Sequence, residues 1–173
     1  MAEILLISGG RKSGKSKFAE NLAGKYQDLT YVALSESRKL DIEWQSRIKL
    51  HKERRPKHWL TIETDELINV LKNQSTELLI DSIGGFVVKG LSMNINEWER
   101  YKKTLLISLM NYKSTVIIVG EQVGWGIISE YKIGNLFADR LGDILNELTK
   151  IADQNWITIN GKALRIDDIF IDI

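Results

Sequence analysis

Apolar and polar positions along this chain switch repeatedly between two rhythms. Glu3 to Ser8 is a nearly continuous apolar run, which predicts a strand buried in a parallel sheet. A Gly-rich turn follows. Then Ser16 to Lys25 carries Phe18, Ala19, Leu22 and Ala23 at helical spacing. Leu29 to Leu34 reads as a second strand. Ser35 to Arg55 is charged, ends in a basic cluster and has one modest apolar face, so it predicts a helix that Pro56, the only proline, would end. His58 to Glu63 predicts a strand, Asp65 to Asn73 a helix capped near Thr64, and Glu77 to Ile83 a strand with an acid near its end. Asn96 to Tyr112 predicts an amphipathic helix, Ser114 to Gly120 a β-branched strand, and Lys132 to Ile151 a long helix. Trp156 to Asn160 and Ala163 to Ile166 flank Gly161-Lys162, and the Asn-Gly pair signals a hairpin.

Strands alternating with helices predict an α/β fold, a mostly parallel sheet flanked by helices. The C-terminal hairpin would add an antiparallel edge. Neither a repeat nor a linker divides residues 1–173, so a single domain is expected.

Composition narrows the function classes. Hydrophobic residues make up 43% and charged residues 27%, a globular balance. A net charge of +1 gives no strong field towards nucleic acid or an anionic membrane. The absence of cysteine excludes disulfides, thiolate metal sites and a thiol nucleophile. No apolar run reaches the ~18 residues of a membrane span, and Met1 to Ile4 lacks a basic leader, so a cytoplasmic protein is expected.

One motif carries chemistry by itself. Gly9-Gly10-Arg11-Lys12-Ser13-Gly14-Lys15-Ser16 matches the phosphate-binding P-loop, with a strand before it and a helix after it. Glycines let backbone N–H groups converge on phosphate oxygens, and the helix N-terminus favours negative charge. Lys15 would reach the terminal phosphates, and Ser16 would ligate Mg²⁺. Asp81, at the end of a later strand, is a second candidate for holding Mg²⁺. The histidines are His51 and His58, too few for a zinc site without carboxylate help. His51 lies among Arg47, Lys49, Lys52, Arg54 and Arg55. Such cations would keep an imidazole neutral and attract phosphates, but periodicity alone favours a plain solvated basic face. Likewise Lys102-Lys103 reads as a solvated helix face, and the five tryptophans as core or interface packing, with Trp125 between Gly124 and Gly126 as the one near the expected site.

The string Arg47-Ile48-Lys49-Leu50-His51, continuing through Arg55-Pro56, Trp59 and Glu63, resembles the family of bifunctional adenosylcobinamide kinase/adenosylcobinamide-phosphate guanylyltransferases. The P-loop followed by Ala19-Glu20, the Tyr31-Val32-Ala33-Leu34 strand, Asp41 and Glu43, and the strand ending in Asp81 agree with it. The resemblance implies a RecA-like P-loop fold, often trimeric. It implies a kinase that phosphorylates adenosylcobinamide with GTP or ATP and Mg²⁺, and a transferase that carries GMP from GTP on His51. It places Lys15 and His51 in catalysis. It places Gly9 to Ser16, Leu34, Ser35, Glu36, Lys52, Glu53, Arg54, Arg55, Glu63 and Asp81 around the nucleotide.

This chain departs from the family pattern in its second half. Glu121-Gln122 stand where the family has Asn-Glu, a proline near Ser129 is lost, and Asn135 stands for an arginine. Ser82-Ile83-Gly84 follow Asp81 in place of Cys-Leu-Thr, and Leu34 replaces a threonine. Two other readings stay open: a relative that binds GTP with partial or no transferase activity, and a small kinase of another metabolite in which His51 is dispensable.

Overall fold

In the computed structural model, residues 2–34, 55–126 and 129–171 are described. Seven strands form one sheet in the order β3-β2-β4-β5-β1-β6-β7. They are β1 (Ile4–Gly9), β2 (Leu29–Leu34), β3 (Leu60–Thr64), β4 (Glu77–Asp81), β5 (Val116–Glu121), β6 (Gln154–Ile159) and β7 (Lys162–Arg165). All neighbouring strands run parallel except β6 and β7, the expected antiparallel edge. The turn of that hairpin is Asn160-Gly161, both at positive φ, which an Asn-Gly pair tolerates.

The period-2 rule sorts the strand residues onto two cores. Leu5, Ile7, Tyr31, Leu79, Ile117 and Val119 face α1 (Lys15–Ala23), which buries Ala19 and Ala23 against them. The alternate residues, among them Leu6, Val32, Ile80, Val116 and Ile118, face the larger core. There the sheet meets α2 (Leu67–Asn73), α3 (Gly84–Gly90), α4 (Ile95–Met110) and α5 (Lys132–Ile151). Asn94 caps α4 reciprocally with Glu97, one of the stronger start signals a helix can carry. Phe86 stacks on Tyr101 at 4.1 Å and leans against Trp98. Arg140 of α5 enters this core and donates to the carbonyls of Gly90 and Met93, tying down the α3–α4 turn.

Three expectations change. The helix after Thr64 begins at Leu67; Thr64 Oγ1 accepts from Glu66 N–H at 3.0 Å, bracing the turn before the helix. The strand ending in Asp81 stops there, and Ile83-Gly84 open α3, an element the sequence reading missed. Lys102 is not solvated. It is 8% exposed and bonds Asp143 at 2.6 Å and Glu99 at 3.0 Å, while Lys103 is exposed. The helix expected over 35–55 lies outside the described residues, except for its last position.

Candidate active site

The topology sets the site. β1, which delivers the P-loop, lies between β5 and β6 near the middle of the sheet, and Asp81 ends β4 one strand further on. The C-terminal ends of parallel strands therefore gather the P-loop, Glu121 and Asp81 along one edge, where α/β sheets bind ligands.

The P-loop is held from beneath. Gly14 sits at φ +101° and Lys12 at φ 60°. A Cβ on Gly9 would collide with Thr158 and Ser13, whereas one on Gly10 would project into open space, leaving that face free for a ligand. Ser13 Oγ is 2.8 Å from Thr158 Oγ1, which donates to Ser8 O at 3.2 Å. Gly161 N–H donates to Ser13 O at 2.9 Å. The C-terminal hairpin thus buttresses the loop through Thr158 and Gly161, two residues the sequence reading did not single out. The hairpin was legible as a turn signal, but nothing in one sequence says what a hairpin leans on.

Lys15 opens α1 and donates to Gly10 O at 3.1 Å, so its ammonium is folded over the loop. Ser16 Oγ donates to Asp81 Oδ1 at 3.4 Å, and Tyr31 O–H donates to Asp81 Oδ2 at 2.7 Å. Tyr31 is 2% exposed; burial and then the Asp81 charge push its hydroxyl far above the usual tyrosine range. The Arg55 guanidinium lies 3.3 Å from the Tyr31 ring centroid, and its Nε is buried without a hydrogen-bond partner among the described residues. A hard oxygen pair, Ser16 Oγ with Asp81 Oδ1, suits Mg²⁺, which takes few protein oxygens and keeps water on the rest of its shell.

Glu121 ends β5 with its backbone opposite Gly9. Its carboxylate accepts from the Ser82 hydroxyl and from Gly84 N–H at 3.3 Å. Burial raises its proton affinity and the Asp81 charge adds to that, while the Ser82 bond and the Lys15 charge oppose it. The swaps at 82 and 121, separate in sequence, meet here as one hydrogen-bonded pair.

The other expected residues divide. Glu63 and Asp81 flank Ala33 in one row across β3, β2 and β4, and Glu63 is exposed on the edge strand. Leu34 is 5% exposed with its side chain in the larger core, and its carbonyl backs onto Gly85. Trp59 is buried beside α1, and Trp125 is 64% exposed. Ser35, Glu36, His51, Lys52, Glu53 and Arg54 lie outside the described residues. Among the described residues, no helix is long and apolar enough to cross a membrane.

Comparison with known proteins agrees with this architecture. A Pyrococcus horikoshii OT3 protein, known from a structural study, superposes with a TM-score of 0.57 over 97% of this chain and 87% of its own, at 9% identity. That likeness speaks to the fold alone. The bifunctional adenosylcobalamin biosynthesis protein CobU of Escherichia coli is 29% identical over 181 residues, covering 94% of this chain and 99% of its own. The bifunctional adenosylcobalamin biosynthesis protein CobP of Pseudomonas aeruginosa is 26% identical over 162 residues, covering 90% and 92%. The family model for cobinamide kinase / cobinamide phosphate guanyltransferase matches residues 5–166. With a P-loop on a mostly parallel sheet and a match across nearly its whole length, the chain belongs to the cobinamide kinase / cobinamide phosphate guanyltransferase family.

Proposed function

We propose that this protein phosphorylates adenosylcobinamide with a nucleoside triphosphate, then passes GMP from GTP to the phosphate it has made. The observation that carries the reading is the joined cluster of Ser16, Asp81, Tyr31 and Arg55 beneath an intact P-loop. Arg55, four residues after His51 in the sequence, stacks on Tyr31 and so stands beside the Asp81 cluster.

In the first half-reaction, P-loop N–H groups and the α1 N-terminus hold the triphosphate, and Lys15 stabilises charge on the transferring group. Ser16 and Asp81 would hold Mg²⁺, whose chemistry is to neutralise the phosphate oxygens. A cobinamide hydroxyl forms the new O–P bond, and the nucleoside diphosphate leaves. In the second half-reaction, neutral His51 attacks the α-phosphorus of GTP and pyrophosphate departs. The terminal phosphate of the cobinamide product then displaces the histidine. This splits one transfer into two easier ones. Leu34 to Glu36, Lys52 to Arg55 and Glu63 would line the nucleotide, the Leu34 contribution being backbone since its side chain is in the core.

The test is GTP radiolabelled at the α-phosphate, with Mg²⁺. The native protein should retain acid-labile, base-stable label, His51→Ala should retain none, and cobinamide phosphate should discharge it. Native protein that binds GTP without taking label would instead fit a binding module.

A further inference from the structure

Of the two carboxylates that end the strands next to the P-loop strand on its β4 side, Asp81 has a task in that scheme and Glu121 does not. It ends the strand lying between the P-loop strand and the Asp81 strand. Asp81 aligns with Val119, so Glu121, two residues on, leaves β5 on the same face as Asp81 and α1. Among the described residues no lysine or arginine forms an ion pair with it, because the nearby Lys15 ammonium is turned to Gly10 O. What it has is orientation. The Ser82 hydroxyl holds one carboxylate oxygen and Gly84 N–H holds the other. A Cβ on Gly84 would stand 3.0 Å from both oxygens, so the glycine makes room for the carboxylate.

A half-buried carboxylate without a counter-ion is costly to keep. A carboxylate held in one orientation beside a phosphate site is what proton abstraction needs, and an ordinary helix cap does not need the charge. We propose that Glu121 is the proton acceptor of the phosphoryl-transfer half-reaction, with Ser82 as its positioning residue. As the acceptor oxygen bonds to the γ-phosphorus, its O–H bond breaks and the proton passes to a Glu121 oxygen. The bond from the γ-phosphorus to the bridging oxygen breaks, and the nucleoside diphosphate carries that electron pair away. The inference rests on the kinase reading above, and it assigns that step a residue lying where the family pattern has an asparagine.

Glu121→Gln separates this role from a structural one, since the amide oxygen can still accept from Gly84 N–H while its NH2 donates to the Ser82 hydroxyl oxygen. Transfer of labelled γ-phosphate to cobinamide should fall by about 10²–10⁴-fold in kcat, with the KM for the nucleotide little changed. Glu121→Asp should retain more activity than Glu121→Gln. Labelling by α-phosphate GTP should persist in both variants. Ser82→Ala should lower kcat less than Glu121→Gln and shift the acidic limb of the pH–rate profile, because its hydroxyl acts only through the carboxylate. Thermal unfolding checks that the variants fold. Retention of kcat within threefold in folded Glu121→Gln overturns the inference alone. A native protein that moves the γ-phosphoryl to no acceptor, water included, overturns it together with the kinase half.

Discussion

The Tyr31 hydroxyl donates to Asp81 Oδ2 at 2.7 Å while Ser16 reaches the other oxygen of the same carboxylate. The tyrosine therefore fixes how Asp81 faces the P-loop. Tyr31→Phe keeps the buried ring and the Arg55 stacking but frees one carboxylate oxygen. Losing this buried, charge-assisted bond should destabilise the fold by about 1–3 kcal/mol. The Kd for Mg-GTP should rise about tenfold, the equivalent of about 1.4 kcal/mol of lost orientation. Denaturant unfolding and calorimetric titration check the two separately.

The same hydroxyl gives a pH signature. Its folded-state proton affinity is raised above the ordinary tyrosine value of 10.0, first by burial and then by Asp81. Its stabilising contribution is thus complete below pH 10 and is lost as pH rises, because only the unfolded chain ionises there. Tyr101 and Tyr112, raised to about 12 by burial, act in the same direction until about pH 12. Each such tyrosine adds a slope of at most about 1.4 kcal/mol per pH unit. Unfolding curves between pH 9 and 12, in this protein and in Tyr31→Phe, should diverge by one tyrosine's slope, with the native protein the steeper.

Glu121 should show the opposite of a stabilising residue. Its folded proton affinity is raised, mainly by burial, so its contribution is fully present below the ordinary glutamate value of 4.5 and is lost as pH rises through the folded pKa. Glu121→Gln should therefore have a higher unfolding midpoint than the native protein at pH 7, and that advantage should shrink as pH falls towards 4. Thermal melts across that range measure it. A gain in stability paired with a loss of turnover is the expected pattern for a group kept for chemistry.

Thr158→Val conserves shape and deletes the hydroxyl linking Ser13 to Ser8. The fold should lose about 1–3 kcal/mol, since Ser13 and the Ser8 carbonyl lose a buried partner. Nucleotide affinity should fall although Thr158 is not among the residues placed around the phosphates. Isothermal titration with GTP and ADP checks this, and equal weakening for both would mark a loosened loop.

Lys102→Met tests the ion pair that a buried lysine makes with a half-exposed partner. Burial pulls the Lys102 proton affinity down, but the bonds to Asp143 and Glu99 outweigh it and leave it raised. Asp143 is 42% exposed in its side chain and stays hydrated when the lysine is removed. The expected loss is below about 1 kcal/mol, since apolar packing offsets a half-exposed ion pair. Lys102→Ala should cost more, by the cavity it opens.

Sequence made the sheet and the P-loop legible because both are written in local patterns: apolar runs for β1, β2, β4 and β5, glycines and a lysine for the loop. The α3 helix was hidden because Gly84, Gly85 and Gly90 argue against a helix by propensity. Their reason is packing from afar: side chains there would run into Glu121, the Leu34 carbonyl and the Trp98 indole. Lys102 was misread because its place on a mixed helix face does not reveal that Asp143 of α5 stands opposite. Tyr31 and Asp81 each fell within a recognised strand, but their bond depends on β2 and β4 being neighbours, which only the topology supplies.

The strand order has a consequence for synthesis. β1 is made first, yet its two neighbours in the sheet, β5 and β6, come from residues 116–121 and 154–159. A nascent chain emerging from the ribosome can pair β2, β3 and β4 with one another while β1 has no strand to join. The P-loop then waits for the last hairpin to supply Thr158 and Gly161. A chain that stalls or is clipped before that hairpin would keep every residue of the nucleotide motif and still lack the floor on which the motif rests. The capacity to hold a nucleotide is thereby tied to synthesis having passed the hairpin.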